Sequence, residues 1–202
     1  MILNKLVSLN LRHNSLIPHY LYENIYMKKE NIEQYFFTPS TKKLILMSIG
    51  TFGLYKFYWF YKNWRFIKNT TGDDISPFWR ALFSIFFVYS CFKYIKKDSI
   101  NNNLPTNLSP GFLATFYIII ALLQSFPSIR DQYWFFLDLL PLALFNKVAL
   151  NVNKHVNPDF KVNDKLSFWN IVGLIFGSLI LLLHLIIIFY PEMFAEHNLE
   201  SA

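Results

Sequence analysis

A single cysteine among 202 residues, Cys91, excludes a disulfide framework and a cysteine zinc cage. Six glycines in the whole chain leave no glycine-rich loop to cradle a phosphate. No Gly-x-Ser-x-Gly elbow, His-Glu-x-x-His pair or acidic cluster with metal-ligand spacing occurs. The sequence therefore assigns no catalytic residue, no metal site and no cofactor. Charge is scarce as well: Asp, Glu, Lys and Arg make up 16% of the chain, against about a quarter in a soluble domain. The net charge of +6 is not gathered into a soluble basic domain, which excludes nucleic acid as a partner. The apolar core of a signal peptide is missing too, because Asn4, Lys5, Ser8 and Asn10 interrupt Met1–Leu11.

What fills the chain is hydrophobic: 53% of residues, 19% aromatic, with a mean hydropathy of +0.27. The charges fall between apolar runs of about 18 or more residues, long enough to cross a bilayer core. The expected fold is all-α, an integral membrane helical bundle of about five transmembrane helices. The expected spans are Leu44–Tyr61, Phe78–Ile95, Gly111–Phe126, Tyr133–Leu150 and Phe168–Tyr190. Thr38-Pro39, Ser76-Pro77 and Ser109-Pro110 each pair a capping hydroxyl with proline just before an apolar run, a helix-opening signal. Pro127–Asp131 reads as a tight turn joining spans three and four as a hairpin, and Pro141 as a kink. Residues 1–38 form a partly mobile leader, 39–191 the bundle, and 192–202 a tail made acidic by Glu192, Glu196 and Glu200. Met27-Lys28-Lys29-Glu30 resembles a natural start, so residues 1–26 are expected to be mobile.

Orientation follows from Lys and Arg near the span ends. One side collects eleven: Lys28, Lys29, Lys42, Lys43, Lys93, Lys96, Lys97, Lys147, Lys154, Lys161 and Lys165. The other collects five: Lys62, Arg65, Lys68, Arg80 and Arg130. The bias predicts a cytoplasmic N-terminus. Four of the five nevertheless crowd the first connector, close to Lys56. A second topology meets that crowding, with Gly50 and Gly53 breaking the first segment into a re-entrant or interfacial hairpin.

The first segment runs on into a basic, aromatic helix. Phe57, Phe60, Trp64 and Ile67 share one face by helical spacing, with Lys62, Arg65 and Asn69 opposite. Tyr55, Tyr58, Trp59 and Tyr61 have the character of a headgroup-level belt. Lys62, Arg65, Lys68, Trp59 and Trp64 are thus the candidates for contact with membrane lipids or a partner; a plain interface anchor explains the same residues. Thr51-Phe52-Gly53-Leu54-Tyr55-Lys56-Phe57-Tyr58-Trp59 resembles the Thr-x-Gly-Ile/Leu-Tyr-x-x-Tyr-Trp stretch of an uncharacterised family of small bacterial multi-pass inner-membrane proteins. The likeness continues through Ile75–Ala81 and, more loosely, Trp169–Gly173, covering roughly residues 36–190. It implies a bacterial inner-membrane location and brings no activity or site residue with it.

Gly173 and Gly177 form a small-xxx-small pattern, read equally well as a homodimer seam or as packing within the chain. Asp138 and His184 are the ionisable residues deepest in the spans, and such residues are functional candidates by default. They could form a proton relay; alternatively each bonds within the bundle, or Asp138 sits wet at an interface. Gln124 and Asn146 read as interhelical hydrogen-bond partners, and Lys147, Asn151 and Lys154 as a stripe toward headgroups or solvent. The function expected is that of a non-enzymatic membrane protein contacting lipids or partner membrane proteins. The alternative is a small solute, ion or proton carrier using Asp138, His184 and Lys56.

Overall fold

Proline and the residue before it resist helix, and Thr38-Pro39 keeps its stretch non-helical. In a computed structural model of the chain, which describes residues 35–124 and 136–190 (side chains 181, 184, 185 and 188 excepted), residues 36–40 lie outside any helix. Pro39 forms a parallel bridge with Asn163, and the first helix starts only at Thr41. Seven helices are described: α1 Thr41–Gly50, α2 Leu54–Thr71, α3 Pro77–Leu82, α4 Ser84–Asn101, α5 Pro110–Leu123, α6 Leu139–Val156 and α7 Phe168–Phe189. The described residues are all-helical, with no strand beyond that single bridge.

Two of the three expected helix openings hold. Pro77 and Pro110 stand at the starts of α3 and α5; Ser109 caps α5 by accepting from the Phe112 N–H, whereas Ser76 stands at the N-cap of α3 without a side-chain cap bond. The third slides two residues onward. Ser40 caps α1, because the Pro39 carbonyl is taken by Asn146. Ser167 and Asn170 cap α7 reciprocally, a capping box with Asn in the place of the usual Glu or Gln.

The expected first span is not one helix. Phe52 at φ 50° and Gly53 at φ 84° turn the chain between α1 and α2, the break that Gly50 and Gly53 announced as the alternative. Phe83 likewise divides the expected second span into α3 and α4. The third shortens to the 14 residues of α5. Pro141 makes no kink: it is the third residue of α6, where a helix has no intrahelical partner for an N–H. The turn Pro127–Asp131, residues 1–34 with the Met27 start, and the acidic tail lie outside the described residues. Among the described residues, no helix is long and apolar enough to cross a membrane.

The core gathers where α2, α4 and α6 present helical stripes to one another. Trp59, Phe60, Trp64 and Ile67 from α2 meet Val88, Cys91, Phe92 and Ile95 from α4 and Leu142, Phe145 and Val152 from α6. Phe92 and Phe145 stack with ring centroids 4.1 Å apart. Phe36 and Thr38, expected in the leader, are buried in this same core.

Candidate functional site

The segment Phe36–Pro39 is gripped by three buried asparagines. Successive residues of an extended strand turn their N–H and C=O to opposite sides. The asparagines use that alternation. Asn153 on α6 accepts from the Phe36 N–H at 3.1 Å and donates to the Phe36 carbonyl at 2.8 Å. Asn63 on α2 does the same for Phe37, at 3.0 and 3.2 Å. Asn146 donates to the Pro39 carbonyl at 2.8 Å and accepts the Trp59 indole N–H at 2.9 Å. Asn153 also donates to the Thr38 hydroxyl at 3.0 Å. A side-chain amide pairing both groups of one residue imitates a β-ladder, so a segment without a sheet is satisfied within a helical core.

Of these three, only Asn146 stood out from the sequence as a hydrogen-bond partner, and that reading holds. A signal for the others existed. Asn146 and Asn153 lie seven apart on the stripe of Leu142, Phe145, Ala149 and Val152, and Asn63 lies among Phe60, Trp64 and Ile67. A polar amide recurring on an apolar stripe needs a buried partner.

The second polar feature is an ion pair. Lys56, in the first turn of α2, meets the Oδ2 of Asp138, just before α6, at 2.5 Å. Asp138 is 1% exposed, so it is not wet, and its other oxygen, Oδ1, is buried with no hydrogen-bond partner. Of the expected Asp138–His184 relay, Asp138 pairs with Lys56, and the His184 side chain lies outside the described residues. Removing two charges from water is costly, and a carboxylate with one oxygen unmatched recovers only part of that cost.

The basic face of α2 divides differently from expectation. Lys62, Arg65 and Lys68 are all partly exposed, and Lys68 lies 3.8 Å from Asp74. The Arg65 guanidinium sits 5.8 Å from the Tyr61 ring. Trp59 and Trp64, in contrast, are fully buried, which removes both as surface contacts. The Arg80 guanidinium, partly exposed, lies over the Trp64 ring at 4.5 Å. Tyr55 is buried with them, so only Tyr58 and Tyr61 remain of the surface belt.

Gly177, and more loosely Gly173, packs within the chain. A methyl group added to Gly177 would run into the Gly50 carbonyl oxygen, and one added to Gly173 would stand 3.5 Å from the Thr51 side chain. The glycines of α7 thus seat it against the α1–α2 corner. Lys147, Asn151 and Lys154 are exposed at the end of α6. Among the described residues, no three His, Cys, Asp or Glu side chains gather as a metal ion requires. No protein-family model matches the chain, and no curated protein or solved structure proved similar to it.

Proposed function

We propose that this chain is an integral membrane protein without enzymatic activity, acting through contacts with lipids or partner membrane proteins. The observation that supports it is the surface of α7. Phe168, Trp169, Phe176, Leu179, Leu182 and Phe189 are all more than half exposed along one helix. In water so large an apolar surface is a liability; against acyl chains it is ordinary. Counted over its whole sequence, with Leu181, His184, Leu185 and Ile188 included, α7 runs 22 residues, with Asn170, Ser178 and His184 its polar ones. That is about 33 Å of helix, enough for a hydrocarbon core of roughly 30 Å.

On this reading α7 crosses the bilayer, and the broken segment α1–α2 lies in or near the interface. The helix carries Lys62, Arg65 and Lys68 at the level where anionic headgroups bind cations. The bacterial inner membrane, with the N-terminus cytoplasmic, is the location proposed. The resemblance around Thr51–Trp59 agrees with it and adds no activity. Two measurements test the reading. The native protein should stay with the membrane pellet through an alkaline carbonate wash; release into the supernatant overturns membrane integration. Exchanging Lys62, Arg65 and Lys68 for Glu should lower the anionic lipid or protein that co-purifies, without altering helix content. An unchanged co-purification profile counts against the contact role.

A second reading is favoured by one observation, the buried, unpartnered Oδ1 of Asp138 beside Lys56. An intramembrane carboxylate with spare acceptor capacity suits a proton or cation carrier. Purified protein in liposomes would then conduct protons or cations, and Asp138→Asn would abolish the flux. Flux equal to that of empty vesicles removes this reading.

A further inference from the structure

A cavity of about 130 Å³ opens between the last turns of α2 and α4, beyond Ile95 where the second apolar run ends. It has room for roughly four waters, at about 30 Å³ each. Its apolar part is aromatic: Phe36 and Phe66 face each other with centroids 4.4 Å apart, and Ile67 lies beside them.

The polar lining offers three hydroxyls and a carboxylate as acceptors, with donors only on the exposed Lys97 and Asn101 at its edge. The Thr70 hydroxyl donates to the Phe66 carbonyl at 2.9 Å, and the Thr71 hydroxyl to the Ile67 carbonyl at 2.9 Å. Tyr94 donates to the Asp73 carboxylate at 3.1 Å. Each hydroxyl has committed its one proton inside the protein; the Thr70 and Tyr94 oxygens keep their lone pairs, and the Thr71 oxygen, which accepts from the Asp73 N–H at 3.2 Å, keeps one to offer a ligand. Asp98 adds a carboxylate that is half-buried and makes no side-chain hydrogen bond or ion pair among the described residues.

We propose that this cavity binds a small primary ammonium ligand, its charge held by Asp98, its N–H groups by the hydroxyl oxygens, and its carbon chain by the aromatic floor. A primary ammonium has three donors and no acceptor, the complement of this lining. Phe36, Phe66 and Tyr94 add the attraction of aromatic faces for cations. An anion meets Asp98 and, through Tyr94, Asp73; a neutral alcohol leaves the Asp98 charge uncompensated. Lys97 lies in the lining too, but it is exposed, and water screens its charge. Burial pushes the Asp98 carboxyl above its ordinary range, as befits a charge with no partner.

The test uses the purified full-length chain in non-ionic detergent, titrated with n-butylammonium chloride and followed by calorimetry or ligand-observed NMR. Tetramethylammonium, n-butanol and butyrate are the controls. Saturable butylammonium binding is expected, weaker by at least about tenfold in Asp98→Asn, the scale of one charge-assisted contact. All three controls should bind more weakly, tetramethylammonium because it has no N–H to give. Asp98→Asn removes no existing side-chain bond, so its fold should survive. Tyr94→Phe, which deletes one acceptor and keeps the ring, provides a second variant and should weaken binding several-fold. The proposal is overturned by absence of saturable butylammonium binding, by n-butanol binding equally well, or by binding that neither variant alters.

Discussion

Asn153 and Phe36, 117 positions apart, pair through two hydrogen bonds as one residue of a β-ladder pairs with its neighbour. With the Thr38 contact, Asn153 satisfies three groups that have no water to turn to. Replacing it by Leu keeps the number of side-chain heavy atoms and strands the Phe36 N–H and carbonyl in the core. Each buried orphan costs about 1–3 kcal/mol, so Asn153→Leu should lose on the order of 3 kcal/mol in thermal or denaturant unfolding. Asn63→Leu should behave alike on the other side of the segment. The double variant should lose less than the sum, because the first substitution already loosens the segment that the second would release. Full additivity would mean that the two asparagines do not share a segment.

Why this clamp escaped the sequence, while other features did not, is a matter of range. The starts at Ser76-Pro77 and Ser109-Pro110 were legible because proline at the first helical position sets a helix start locally. Thr38-Pro39 carries the same local signal and fails, because Asn146, more than a hundred positions away, holds the Pro39 carbonyl. The amphipathic pattern of α2 was read correctly in kind: Phe60, Trp64 and Ile67 are inside and Asn69 is outside. Trp59 was assigned outward because aromatic belts and aromatic cores have the same composition; only the neighbouring stripes of α4 and α6 tell them apart. The Lys56–Asp138 pair joins two residues that the carrier alternative groups without pairing them, since nothing in spacing relates positions 82 apart.

Gly177 and Gly173 differ in what surrounds them, and their alanine variants should differ accordingly. At Gly177 a methyl group meets backbone, the Gly50 carbonyl and Thr51 Cα, which no rotamer change can relieve. Gly177→Ala should cost about 1–3 kcal/mol, the usual penalty of overpacking, and should loosen α7 from the α1–α2 corner. Gly173→Ala meets only ordinary van der Waals distance and should stay within about 0.5 kcal/mol. Limited proteolysis and thermal unfolding of the two variants side by side check the ranking. A larger loss at Gly173, or a change of oligomeric state there, would return the dimer seam to consideration.

Lys56 and Asp138 should be costly to separate and cheap to remove together. Lys56→Met leaves the Asp138 carboxylate buried without its cation, a loss of about 3–5 kcal/mol for a broken buried pair. Lys56 keeps some exposure, so the lower end of that range is expected. The double variant Lys56→Met, Asp138→Leu removes both charges and the unpartnered Oδ1 with them, and should recover most of the loss. Unfolding midpoints of the three proteins decide it; a double variant as damaged as the single one would show that the pair itself stabilises the fold.

Asp98 makes the fold respond to pH in a direction that its surroundings determine. Burial raises its carboxyl above the ordinary value of 3.8, so the folded protein favours the protonated form more than the unfolded chain does. Between the unfolded and folded values the native state therefore binds more protons, and stability falls as pH rises. The neutral-acid contribution is fully present below the unfolded value and is lost as pH climbs through the raised one. Asp98→Asn mimics the protonated acid at every pH. Its melting temperature should match the natural protein's near about pH 4 and exceed it increasingly toward about pH 7. Every other titrating group is common to both proteins, so the difference between the two melting curves isolates Asp98. A gap that is constant with pH would show that the carboxyl is unshifted by the fold, and a variant that falls below the natural protein increasingly toward neutral pH would show that the carboxylate has a partner; either would undercut its part in binding an ammonium ion.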